Sequence, residues 1–171
     1  VGENIYASAT PSEEVSSLRT STAEIETFLV DNAASKDVAV GGYDAYEVSF
    51  TLKPQFEGKT KVTLCNACGE KFSLEFDTEN MTVLADRSES GKMTRIKSFV
   101  LMPAAPLGLC NSSDGYDVDV FVDKCSVEVF VDGGRIAMTN LVFPSESFDN
   151  IVFESTGESE ISNMFIHKIG K

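Results

Sequence analysis

The sequence predicts an all-β domain: a two-sheet antiparallel β-sandwich preceded by a short linker helix or turn. Three observations carry this. Valines alternate with polar residues from Tyr116 to Asp123 and again from Ser126 to Asp132, and two tight turns tie these runs to a third; period two with short loops is an antiparallel meander. Many further short apolar runs are separated by glycine and proline turn signals, the spacing of a sandwich. The length, 171 residues, suits one domain with a proper core.

Taken in order, residues 1–10 are mixed, without periodicity, and read as a leading arm. Pro11 to Arg19 reads as a short helical turn, with Thr10 or Ser12 as cap and Glu13 and Glu14 complementing its N-terminus. The boundary is placed after residue 22, with the sandwich over 23–171. Strands are expected near 24–30, 43–52, 60–65, 71–76, 81–85 and 96–101, then the meander, then 149–155 and 161–169. Gly41-Gly42, Pro54, Glu57-Gly58, Gly69, Ser90-Gly91 and Gly157 mark the turns between them.

Within the meander, Val118, Val120 and Val122 share one face while Asp117, Asp119, Phe121 and Asp123 share the other. After the turn Asp123-Lys124-Cys125, Val127, Val129 and Val131 oppose Ser126, Glu128, Phe130 and Asp132. Asp132-Gly133-Gly134 supplies the positive φ of a short hairpin loop, and Arg135 to Val142 runs back. Asp123, Glu128, Asp132 and Arg135 thus lie at or near strand ends. Such groups can bind a polyol, grip a neighbouring domain, or stand as solvated charges on an open sheet face.

Lys and Arg number 14 against 27 Asp and Glu, a net charge of −13. That balance argues against nucleic-acid or anionic-membrane partners and leaves a neutral ligand or a protein surface. No apolar run reaches bilayer-spanning length and no signal-peptide pattern opens the chain. A start at Val1 fits a piece of a longer polypeptide or a processed one. Cys65 and Cys68 have the spacing of a zinc knuckle, but Cys110 and Cys125 supply no second knuckle. Cys65 and Cys68 could instead close a small disulfide in an oxidising compartment. Residues 111–119 concentrate oxygen ligands without fitting a twelve-residue calcium loop, leaving an ordinary polar turn as the other reading. No cofactor or metal is expected, and His167, the only histidine, reads as packed or surface.

Three stretches also resemble a known family. Asp123, Ser126, Val127, Glu128, Val129, Phe130, Asp132, Gly134, Thr139, Phe143 and Pro144 follow D-x-x-S-V-E-V-F, a D-G turn, Thr and F-P. Pro11, Glu14, Val15, Leu18 and Arg19 follow P-x-x-E-V-x-x-L-R, and residues 86–91 follow D-R-S-x-S-G, with Ala105-Pro106-Leu107 in agreement. The pattern is similar to the C-terminal β-sandwich module of glycoside hydrolase family 32, the invertases, levanases and inulinases. The resemblance implies a concanavalin-like jelly roll joined by its linker to a catalytic β-propeller, in a secreted, periplasmic or cell-surface enzyme.

The family's catalytic motifs, W-x-N-D-P-N-G, R-D-P and E-C, do not occur in this chain, and Trp is missing. The resemblance therefore implies a non-catalytic module that packs on the propeller and, as some sandwiches of this family do, binds the terminal fructose of levan. For such binding the candidates are Asp86, Arg87, Asp123, Glu128 and Arg135, with Tyr116 as a side wall. The acids would accept from hydroxyls, while the guanidinium of Arg87 would donate to vicinal hydroxyls or to Asp123 and Glu128, or else form an ion pair fixing its loop. One departure weakens the match: Lys124 and Cys125 stand where the family commonly has Arg and Ser. The alternative is a stand-alone lectin-like module for another glycan.

Overall fold

Alternation decides which side of each strand faces inward, and two inward faces make the core. The computed structural model describes residues 7–93, 96–99, 101–110 and 113–170. A 3₁₀ turn at Glu13–Leu18 leads into β1 (Arg19–Ile25), β2 (Phe28–Asp31), β3 (Lys36–Ala39), β4 (Tyr46–Pro54), β5 (Lys59–Cys65), β6 (Lys71–Asp77) and β7 (Thr82–Glu89). The chain continues through β8 (Ala104–Pro106), a second 3₁₀ turn (Leu107–Leu109), β9 (Tyr116–Asp123), β10 (Ser126–Val131), β11 (Ile136–Leu141), β12 (Asn150–Ser155) and β13 (Glu158–Ile169). One sheet, A, runs β1-β13-β4-β9-β10-β11, with β2 also pairing β13; the other, B, runs β3-β12-β5-β6-β7-β8. All the strand pairings are antiparallel. The chain is the expected two-sheet sandwich.

Several strand boundaries differ from the sequence expectation. The run expected at 24–30 is two strands, and the expected linker boundary after residue 22 falls inside β1. β3 escaped notice because only Val38 of its four residues is buried. The strand expected at 96–101 does not form over the described residues there. Phe99 N–H turns back to donate to the Ile96 carbonyl at 2.9 Å, and the sheet edge is made by Ala104–Pro106 against Thr82–Leu84. A proline at its end suits that edge position. Val100 lies outside the described residues, as do Asn111 and Ser112 of the oxygen-rich turn. Ser12 occupies the cap position of the first 3₁₀ turn without a side-chain capping bond to the backbone. All four cysteines are free thiols, so the disulfide considered for Cys65 and Cys68 is not formed.

The core fills the gap between Val48, Phe50, Leu52, Val118, Val120, Val127 and Val129 of sheet A and Val62, Leu64, Phe72, Leu74, Phe76, Ile151 and Phe153 of sheet B. Phe153 sits at its centre, 0% exposed, with edge contacts to Phe28 and Phe50 at centroid distances of 5.3 and 5.5 Å. Tyr116 belongs to this core. It is in phase with Val118 and Val120, is 2% exposed, and stacks on Phe76 at 6.2 Å, so it cannot be the side wall of an open sugar site. Phe153→Ala should cost about 3–5 kcal/mol in denaturant unfolding, since it removes buried area and leaves a cavity; a loss under about 1 kcal/mol would mean the two sheets do not meet there.

Candidate functional site

Everything the valines exclude from the core appears on the outward side of sheet A, and the registers arrange it in rows. Thr22, His167, Glu47, Phe121, Glu128 and Thr139 form one cross-strand row. Glu24, Phe165, Ser49, Asp119, Phe130 and Ala137 form the next. Cross-strand neighbours stand about 5 Å apart, so each row is a continuous strip of side chains.

The linker lies over this face. Ala9 N–H donates to the Gly134 carbonyl at 3.1 Å, pinning the chain to the β10–β11 turn. Gly134 has φ +79°, and a Cβ there would overlap the Ala9 carbonyl, so glycine is required twice over. From that point Thr10, Pro11, Ser12 and Val15 border a hollow of about 450 Å³ whose other walls are Phe121, Asp123, Ser126, Glu128 and Phe130. The rings of Phe121 and Phe130 meet edge to face, centroids 5.9 Å apart. Aromatic faces beside carboxylates and hydroxyls make a surface suited to a polyol or to an inserted side chain.

Where the linker becomes β1, Arg19 clamps it to the sheet. Its Nε donates to Glu47 Oε2 at 2.8 Å and its Nη2 to Oε1 at 2.6 Å, a two-pronged pair. Glu47 is 1% exposed although it points away from the core, and that burial is bearable only because its charge is answered. Beside it, burial first and the Glu47 charge second raise the Asp119 carboxyl above its ordinary value. The His167 ring pairs through Nδ1 with Thr22 Oγ1 at 2.8 Å and stacks on Phe165. Burial, then the Arg19 charge, lowers its pKa, outweighing the opposite pull of Glu47.

The six sequence-derived candidates do not converge. Asp123 and Glu128 share the hollow, and Asp123 Oδ1 also accepts the Lys124 N–H at 2.7 Å. Asp86 is on β7 of sheet B, where its Oδ1 accepts the Ser88 N–H at 2.8 Å. Arg87 donates to the Leu141 carbonyl at a long 3.4 Å and lies 4.4 Å over the Phe99 ring. Among the described residues it forms no ion pair with Asp123 or Glu128. Arg135 sits at the opposite end of the meander, donating to the Leu109 carbonyl at 3.1 Å in a recess with Asp114, Asp117 and Asp132. Tyr116 is in the core. Reasoning from the sequence missed Glu47, Phe121 and Phe130 as parts of the site. The phase of β4 puts Glu47 opposite Tyr46 and Val48, and only the fold brings the Arg19 guanidinium to it. Among the described residues, no group of three or more His, Cys, Asp or Glu could hold a metal ion.

Two expectations follow from the clamp. Arg19→Ala leaves a buried, unanswered carboxylate and should cost about 2–3 kcal/mol, discounted because Arg19 is itself a third exposed; an unchanged denaturation midpoint would contradict it. His167, lowered from 6.5, stabilises the fold in its neutral form, so its contribution is complete above pH 6.5 and is lost as pH falls through the lower folded value. Asp119, raised from 3.8, acts in the other direction, adding stability as it protonates. Unfolding free energy should therefore fall on acidification below about pH 6.5 before the carboxylates titrate, and His167→Gln should flatten that limb; an equal slope in the variant would rule His167 out.

Comparison with known proteins places this geometry. The chain is 25% identical over 173 aligned residues to the levanase of Bacillus subtilis, covering 99% of this chain and 25% of that protein. It is 31% identical over 105 residues to the fructan beta-fructosidase of Streptococcus mutans, covering 60% of this chain and 7% of that protein. It spans only a minor part of either relative. The structure superposes on exo-inulinase from Aspergillus awamori with a TM-score of 0.76 at 23% identity, covering 100% of this chain and 34% of the other. Beta-fructofuranosidase from Schwanniomyces occidentalis gives 0.72 at 18% identity, covering 90% and 34%. The profile described as "Glycosyl hydrolases family 32 C terminal" matches residues 14–168, from the 3₁₀ turn to the penultimate residue of β13, and the chain belongs to that family.

Proposed function

We propose that this chain is the non-catalytic C-terminal module of a fructan-hydrolysing glycosidase of the levanase or β-fructofuranosidase type, and that it works by packing against the catalytic propeller of the same polypeptide. The supporting observation is the linker's course: it is laid across the outward face of sheet A, pinned at Gly134 and clamped by Arg19 to a buried Glu47. A flexible tether has no use for such fastening. A fixed linker sets the angle between two domains. The module then stabilises the enzyme or shapes the rim of its cleft, in a secreted, periplasmic or cell-surface setting.

A second reading has its own support. The hollow of about 450 Å³ pairs Asp123 and Glu128 with the Phe121 and Phe130 rings. Its size and its mix of acceptors and apolar walls suit the terminal fructose of a levan chain, whose hydroxyls would donate to the two carboxylates. Asp86, Arg87 and Arg135 are not among the residues that line it. A stand-alone lectin-like module for another glycan would use the same hollow.

Affinity electrophoresis of the chain through levan, inulin and a non-fructan control separates these readings. Retardation by levan that Glu128→Ala reduces at least tenfold, about 1.4 kcal/mol, supports fructan binding. No retardation by any glycan leaves packing as the module's role, and retardation by the control alone supports the lectin-like alternative.

A further inference from the structure

Arg87 holds a guanidinium whose Nε is buried without a hydrogen-bond partner, beside a patch of apolar side chains in solvent. Around it, Phe99 lies under the cation at 4.4 Å and packs on Phe143 at 5.9 Å. The same loop exposes Ile96, Leu101 and Met102, and Leu141 at the end of β11 is half exposed. Leu101 is 68% exposed, on a chain whose core has ample apolar surface elsewhere. An orphaned N–H of a charged group is costly to leave unpaired, and a contiguous apolar patch on a monomer marks a contact surface. Arginine, methionine and aromatic side chains are the ones enriched at interfaces, and Lys92 and Lys97 of the same loop are exposed.

We propose that this Arg87 platform is the surface against which the catalytic part of the same polypeptide docks, an apolar surface carrying a carboxylate or carbonyl that accepts from Arg87 Nε. The inference rests on the packing role proposed above and adds the face that performs it. Three observations select that occupant. The relatives are about three times this chain's length or more, and the family is a C-terminal one, so the remainder precedes the linker. The linker meets the sandwich at Gly134, where the edge strand β11 begins, and β11 ends at Leu141 against Arg87. The point of attachment and the platform therefore lie along one edge, about 20 Å apart, well within the width of a domain. The chain carries a net charge of −13, so a second copy of it would be repelled at long range.

The test compares thermal unfolding of the longer polypeptide, as wild type and as Leu101→Glu, Met102→Glu and Arg87→Lys, with the 171-residue chain alone measured alongside. Docking through the platform predicts one cooperative transition in the wild type. Each variant should split it, the module's transition moving down by about 5 °C, while Leu101→Glu and Met102→Glu leave the midpoint of the chain alone unchanged. A single wild-type-like transition in all three variants overturns the platform and leaves the packing role standing on another face. Two independent transitions in the wild type itself overturn the packing role as well. Sedimentation of the chain alone as a dimer that Leu101→Glu dissociates would give the platform to a second copy and overturn the proposal.

Discussion

A carboxylate can be sealed on the outward side of a sheet only if something covers it and something answers its charge. Glu47 meets both conditions, because Arg19, where the linker becomes β1, lays a two-pronged guanidinium against it. Desolvating such a group alone would cost several kcal/mol, so the pair and the linker's position are conditions of each other. The rest of that face inherits its character from this arrangement. Asp119 and His167 are shifted by the same burial, and the hollow exists only because the linker forms one of its walls.

Beneath that face the sandwich is held by ordinary means. Valines of β9 and β10 and aromatics of β4, β6 and β12 fill the space between the sheets, each buried side chain contributing about 1.5–3 kcal/mol. Buried Thr and Ser hydroxyls satisfy one another, as Thr60 does with Ser155 at 3.2 Å and Ser159 at 2.7 Å, whereas the buried Tyr46 hydroxyl has no hydrogen-bond partner among the described residues. The close approach of Gly91 to Phe143 ties the D-R-S-x-S-G stretch to the end of the meander, which holds Arg87 beside Leu141. The motifs that carry the resemblance thus turn out to be junctions, where strand, turn and linker touch.

The sandwich was legible because alternation is a local property: Val118, Val120 and Val122 announce their face whatever the rest of the chain does. The same rule, carried one step back, would have placed Tyr116 in the core, since it shares their phase. The apolar run at 96–101 misled because hydrophobicity without alternation or turn signals also describes an exposed loop. The candidate binding residues were legible as polar and not as a group. Asp86, Glu128 and Arg135 lie on different sheets or at opposite ends of one, and which ends meet is decided by strand order, which motif spacing does not encode. Glu47 was invisible for the same reason: the guanidinium that answers it, Arg19, lies 28 residues upstream.

The linker's seat on sheet A is the claim on which the hollow, the clamp and the domain geometry all rest. Amide hydrogen exchange at Ala9, whose N–H donates to the Gly134 carbonyl, measures it most directly. A seated linker predicts slow exchange there, comparable with the turns of the sandwich, and its loss in Arg19→Ala. Exchange at the rate of an unstructured peptide in the intact chain would contradict the account.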